Sequence, residues 1–163
     1  MASSEVPAGS HLQLADVEAA INWWLAREPV VDGVSLPPGL RPLADLYARM
    51  IHAGADRWPE ADVSPEAMLA WLDWYASTPD APCIAICSTS QGDEVCKGCG
   101  RSFDEVQHWI AMTPVAKREV WRRITVEGTA WRFTHYADRA ARVAGTASPQ
   151  AISPPGLRTA ASG

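Results

Sequence analysis

The sequence predicts a mainly α-helical protein: a small N-terminal helical unit, then a four-cysteine metal knuckle packed on two or three helices. Three observations carry this. Apolar residues recur at helical spacing in segment after segment. Helix-starting residues stand ahead of them, at Ser64, Ser102 and Thr113. And all four cysteines fall within "PCIAICSTSQGDEVCKGCG", Pro82 to Gly100.

Residues 1–11 read as a flexible lead. "LADVEAAINWWLARE" follows, with Val17, Ala20, Ile21, Trp24 and Leu25 at i, i+3, i+4, i+7 and i+8. That is the stripe of an amphipathic helix, and Asp16 is a candidate for its cap. "PVVDGVSLPPG" interrupts it with proline and glycine. A second helix is expected near residues 42–53, with Leu43, Leu46, Tyr47, Met50 and Ile51 on its apolar face and Gly54 ending it. A third begins in "SPEAMLAWLDWYA", where Ser64 suits the N-cap and Pro65 the first turn. Its stripe is Met68, Trp71, Leu72 and Tyr75. These three helices delimit a small helical domain over residues 12–77, and "STPDAP" reads as the linker after it.

Past the cysteines, "SFDE" from Ser102 to Glu105 is a capping box. The serine hydroxyl accepts from the amide three residues on, and the glutamate reaches back. Phe103, Val106 and Ile110 are expected on one side of that helix, with Trp109 beside them. Thr113 and Pro114 restart a helix whose apolar face is Val120, Trp121 and Ile124. A module over residues 82–124 results. A C-terminal helix is expected within residues 125–145. The Pro-, Ala- and Ser-rich stretch 146–163 reads as a disordered tail.

Composition excludes several classes. The start, "MASSEVPAGS", has neither a basic region nor an apolar run, so it is not a secretory signal. No stretch approaches the roughly 20 apolar residues of a membrane span. A cytoplasmic location is therefore expected, and there clustered cysteines point to a metal rather than to disulfides. Net charge is −5, split as −8 over residues 1–80 and +3 over residues 81–163. That asymmetry also suggests two units.

Cys83, Cys87, Cys96 and Cys99 are the candidate metal ligands. Thiolates bind soft and borderline ions, and four complete a tetrahedron. "CKGCG" places Gly98 and Gly100 between and after two of them, where a positive φ is expected. Such a turn aims backbone N–H groups at sulfur. The helix starting at Ser102, with Lys97 and Arg101 beside the turn, would offset part of the thiolate charge. The metal is one zinc ion or an iron–sulfur cluster; the residues leave both open. A dithiol redox pair on Cys96 and Cys99 is the competing chemistry. It leaves Cys83 and Cys87 unexplained.

"PCIAIC…CKGCGRSFDEVQHWIAMT" resembles a small bacterial family of uncharacterised predicted Fe–S proteins, whose pattern runs PCxGxC, then CxGCxRTxxEIxxWxxM. The four cysteines, Pro82, Gly98, Arg101, Glu105, Trp109 and Met112 match. Ala85 stands where glycine is usual, Ser102 where threonine is, and Val106 where isoleucine is. The resemblance implies an iron–sulfur centre on those cysteines. "LADVEAAINWW" with "LRPLADLYARMI" resembles a second bacterial family, a helical domain that often has arginine where this chain has Leu25. It implies a unit over residues 12–77 and no chemistry.

Other residues have simpler readings. His108 is expected on a helix surface, since four cysteines already suffice for a metal. His11, His52 and His135 are isolated, no catalytic triad can be argued from the sequence, and no phosphate-binding loop is present. Glu105 and Arg101 serve the cap and the charge balance, and Trp109 serves the core. Between Thr113 and Gly145 there are seven Lys/Arg against three acids, and Arg132, His135, Arg139 and Arg142 share helical spacing. That face is either solvated surface or a contact for nucleic acid or an acidic partner. The expected function is thus a non-enzymatic metal-binding protein of unknown process, whose centre organises the 82–124 module for interaction or regulation. An unknown protein partner is one candidate and nucleic acid the less favoured one. Electron transfer is the alternative, and a nucleic-acid-binding zinc module the third.

Overall fold

The computed structural model describes residues 9–28 and 35–134. Their architecture is mainly helical, as the periodicity predicts. Strand β1 (His11–Gln13) leads into α1 (Leu14–Arg27). Helix α2 (Arg41–Ala53) and strand β2 (Arg57–Pro59) follow, then α3 (Pro65–Tyr75). A long irregular stretch holds the first two cysteines. Short helix α4 (Phe103–His108) and helix α5 (Pro114–Glu127) complete the set.

The helix punctuation follows the sequence closely. Ser64 accepts from the Ala67 amide and starts α3. Thr113 does the same for α5 through the Ala116 amide, with Pro114 in the first turn. Gly54 and Gly128 end α2 and α5 in the left-handed conformation, which glycine adopts without steric cost. Helix α1 differs: Gln13 precedes it with no side-chain cap. Asp16 is instead buried in the first turn, and its carboxylate is held by Arg118 of α5. Tertiary pairing takes the carboxylate that a cap would have used.

His11, placed in the lead by sequence, is a strand residue. β1 pairs antiparallel with β2, Leu12 opposite Trp58. Leu12 is fully buried, and a strand of three residues offers no periodicity to read.

The main core gathers Leu12, Val17, Ala20, Leu43, Leu46, Met50, Trp71, Trp74 and Tyr75. Trp71 stacks on Tyr75 at 5.6 Å between centroids and meets Trp74 edge-on at 5.5 Å. Val115, from α5, belongs to this same core. A second, smaller cluster holds Trp109, Val120 and Ile124, with Met112, Trp121 and Phe133 against it. The described residues of segments 12–77 and 82–124 lie in one compact unit that extends to Phe133.

Several facing assignments shift. Ile51 and Ile110 are exposed, Ile110 at 96%, and Trp74, outside the expected stripe, is buried; Trp109 is buried, as expected of a core residue. Of the span 125–145, where a C-terminal helix is expected, only residues up to 134 are described: there Gly128 ends α5, and Trp131–Phe133 form one 3-10 turn. Residues 135–145 and the tail 146–163 lie outside the described residues. Among the described residues no helix is long and apolar enough to cross a membrane.

Candidate metal centre

The centre is built on one tight turn. An isolated antiparallel bridge joins Val95 to Ser102. Within it the Cys96 amide donates to the Arg101 carbonyl at 2.8 Å, and the Gly100 amide donates to the Cys96 carbonyl at 2.7 Å. Cys96 and Cys99 are buried, each 1% exposed. Gly100 has a φ of +82°, as the turn requires. Gly98 does not: its φ is ordinary, and its need is spatial. A Cβ there would collide with the Ile86 carbonyl oxygen. The glycine lets the loop carrying the first cysteines lie directly on the knuckle.

That loop touches the knuckle on both sides of Cys87. The Ser88 hydroxyl accepts from the Lys97 amide at 2.8 Å, and the Ile86 carbonyl accepts from the Cys96 thiol at 3.5 Å. The Cys87 thiol itself turns to the Thr89 hydroxyl, 3.0 Å away. The Cys83 sulfur accepts from the Ala85 amide at 3.4 Å. Ala85 has a φ of +63°, the left-handed region, at the position where the resembling family has glycine.

So the structure brings Cys96 and Cys99 together and leaves Cys83 and Cys87 on the exposed face of the adjoining loop. Among the described residues no three His, Cys, Asp or Glu side chains converge tightly enough to hold a metal ion. The donor chemistry suits zinc or iron: four free thiols on two adjoining segments, with amides already aimed at one sulfur. Closing a tetrahedron requires the Cys83 and Cys87 side chains to turn inward.

The electrostatics favour thiolate at the knuckle. Burial raises the Cys96 thiol, but the amides of Cys99, Ser88 and Gly98 and the Cys99 thiol outweigh it and bring it down to about 7. Burial pushes the Cys99 thiol up, against the pull of Arg101. The pair thus shares its protons unequally: Cys96 ionises first, and Cys99 donates to it.

Of the two cations expected beside the turn, Arg101 is the one that reaches a sulfur. It is 6% exposed, and its Nε donates to the Cys99 sulfur at 3.4 Å. Its guanidinium lies 4.5 Å from the Trp109 ring centre. No carboxylate pairs with it among the described residues. Lys97, which sequence also assigned to the thiolates, is paired with Asp93 at 2.9 Å instead.

The capping box forms as read: Ser102 Oγ accepts from the Glu105 amide, and Glu105 Oε2 accepts from the Ser102 amide. Glu105 Oε2 also receives Arg123 of α5 at 2.6 Å. His108 is exposed, with Nδ1 2.9 Å from the Asp104 carbonyl oxygen.

Sequence reasoning missed Asp80, read only as part of a linker. Its carboxylate accepts from Tyr75 at 2.7 Å, from Lys117 at 2.9 Å and from Trp109 Nε1 at 3.2 Å. Trp121 Nε1 donates to its carbonyl. An acid in a proline-flanked turn gives no local sign that three distant residues, and Tyr75 before it, will converge on it.

Two family models match separate stretches of the chain. Residues 10–76 match the family model described as protein of unknown function (DUF3717). Residues 81–128 match the one described as protein of unknown function (DUF1289). The chain therefore carries two segments similar to two families of unknown function, in that order. No curated protein and no solved structure matches.

Proposed function

We propose that the protein is a non-enzymatic metal-binding protein whose Cys83, Cys87, Cys96 and Cys99 hold one zinc ion or one iron–sulfur cluster. The centre organises the 82–124 segment for interaction or regulation. The observation that carries this reading is Arg101. A buried guanidinium with no carboxylate partner among the described residues is costly unless an anion sits beside it. The group beside it is the Cys99 sulfur. A metal-bound tetrathiolate supplies that negative charge permanently, whereas a thiol pushed up by burial supplies it poorly. When bound, the metal would replace the Cys99 proton and draw in the two exposed cysteines. The chain's own residues do the rest: amides neutralise Cys96, Arg101 neutralises Cys99, and Gly98 admits the loop. A cytoplasmic location belongs to this reading, because a reducing compartment keeps four thiols available.

The test is ligand replacement. Cys96→Ser and Cys83→Ser should each lower the metal content of the anaerobically purified chain, with Cys96 the more severe. Full metal content in Cys96→Ser would refute the assignment.

A second reading, dithiol redox chemistry, is favoured by one observation: Cys96 is held near 7 with Cys99 as its hydrogen-bond donor. Here both thiols lose their protons and two electrons to a partner disulfide, which leaves as two thiols. The third reading, nucleic-acid binding, has less support. Lys117, Arg118 and Arg123 are engaged by Asp80, Asp16 and Glu105. Arg132 donates inside the fold, and His135, Arg139 and Arg142 lie outside the described residues.

A further inference from the structure

The 3-10 turn Trp131–Phe133 lies beyond residue 128, where similarity to the second family ends. It nonetheless makes three hydrogen bonds to the cysteine segment. The Trp131 amide donates to the Lys97 carbonyl at 2.9 Å, and the Arg132 amide to the Gly98 carbonyl at 3.0 Å. Arg132 Nη1 donates to the Pro82 carbonyl at 2.9 Å. Pro82 is buried and immediately precedes Cys83. The Arg132 guanidinium rests 4.6 Å from the Trp121 ring centre, which limits its freedom to turn elsewhere.

Peptide planarity turns these bonds into a statement about sulfur. In a trans peptide the C=O and N–H point in opposite directions. The Lys97 carbonyl faces Trp131, so the Gly98 N–H of the same peptide faces away from it. The Gly98 carbonyl faces Arg132, so the Cys99 N–H faces away likewise. Those two N–H groups are among the backbone donors that draw the Cys96 thiol down. The turn fixes the two peptide planes on which the knuckle depends, and the Arg132 side chain fixes the entry to the first cysteine pair from the same place.

We propose that Arg132 is a positioning residue for the four-cysteine centre, and that residues 131–133 act as a strap holding the Cys83 entry against the Cys96–Cys99 turn. For metal binding this rests on the function proposed above; the strap itself does not require a metal.

The test uses the full reduced chain, stripped by chelation, and Arg132→Ala, Arg132→Gln and Arg132→Lys. The probe is Co²⁺, whose visible absorption reports tetrahedral thiolate ligation. Losing an outer residue that orients ligands costs about 10–100-fold in metal affinity, and Arg132→Ala should fall in that range. Arg132→Lys and Arg132→Gln, which still donate a hydrogen bond, should recover part of the loss. A loss of fold alone would not be rescued in that order. In the metal-free chain, Arg132→Ala should also speed alkylation of Cys96 and Cys99 and exchange of the Gly100 amide, with exchange in α1–α3 unchanged. If the native chain binds no Co²⁺ but the substitution still speeds alkylation, the metal reading fails and the strap stands. If alkylation and exchange at the knuckle match the native chain, the strap is refuted, whatever metal binds.

Discussion

Arg118 of α5 grips Asp16 of α1 through two hydrogen bonds, Nη2 to Oδ1 at 2.6 Å and Nε to Oδ2 at 3.3 Å. The residues are 102 positions apart, one in each family-like segment. The Asp16 side chain keeps 11% of its surface exposed and Arg118 25%. A bidentate pair this sheltered leaves a costly carboxylate when the arginine is removed. Arg118→Ala should destabilise the chain by about 2–3 kcal/mol, somewhat below the cost for a fully buried pair. Urea unfolding checks this, and a double-mutant cycle with Asp16→Asn isolates the pair from the packing of Arg118 on Trp74.

Ala85 gives the opposite sign. An L-residue in the left-handed region costs roughly 1–2 kcal/mol, because Cβ crowds the following carbonyl. Ala85→Gly relieves this, offset partly by the greater freedom of glycine in the unfolded chain. We expect a net gain of about 0.5–1 kcal/mol, read as a higher midpoint in thermal or urea unfolding. A loss of stability would show that the alanine is not strained.

Gly98→Ala should act at a distance of one loop. Its methyl group meets the Ile86 carbonyl, a backbone atom that cannot swing aside. Either residues 84–88 lift away or the knuckle opens. Overpacking of this kind costs about 1–3 kcal/mol. Alkylation of Cys96 should become faster, while α1–α3 keep their exchange protection.

Asp80 sets an acid limit. Hydrogen bonds from Lys117 first, then Tyr75 and Trp109, hold its carboxyl below the ordinary carboxylate range. A depressed folded pKa stabilises the chain above the unfolded value of about 3.9, and that contribution fades as pH falls through the folded value. Stability should therefore decline below about pH 4 in the native chain. Asp80→Asn should be weaker at neutral pH and should show a shallower acid decline. Parallel acid limbs would contradict the role.

Much of the helical layout is legible in the sequence, because its signals are local. Ser64, Ser102, Thr113 and Gly54 each act within a turn of their own position. Which apolar residue is buried is less legible. Trp74 is buried while Ile51 and Ile110 are exposed, and only the partner surface decides. Asp16, Asp80 and Arg132 were illegible, since each serves a residue at least 29 positions away or, for Asp80 with Tyr75, across a linker. The cysteine cluster was legible as a cluster. Its asymmetry was not: two buried thiols and two exposed ones follow from how residues 84–88 pack on Gly98.

The shared core also changes what metal removal should do. A free-standing 82–124 segment would unfold outright without its metal. Here Val115 sits in the main core, and Asp16 and Asp80 hold α5. Chelation should therefore loosen residues 82–101 and leave α5 protected, which hydrogen exchange resolves segment by segment.

The most direct measurement is metal and acid-labile sulfide per chain in protein purified without oxygen. The account predicts one zinc without sulfide and no colour, or iron with matching sulfide and a brown chain, lost in either case on replacing Cys96 by serine. A chain carrying neither metal, whose Cys96 and Cys99 cycle reversibly between dithiol and disulfide, would contradict it.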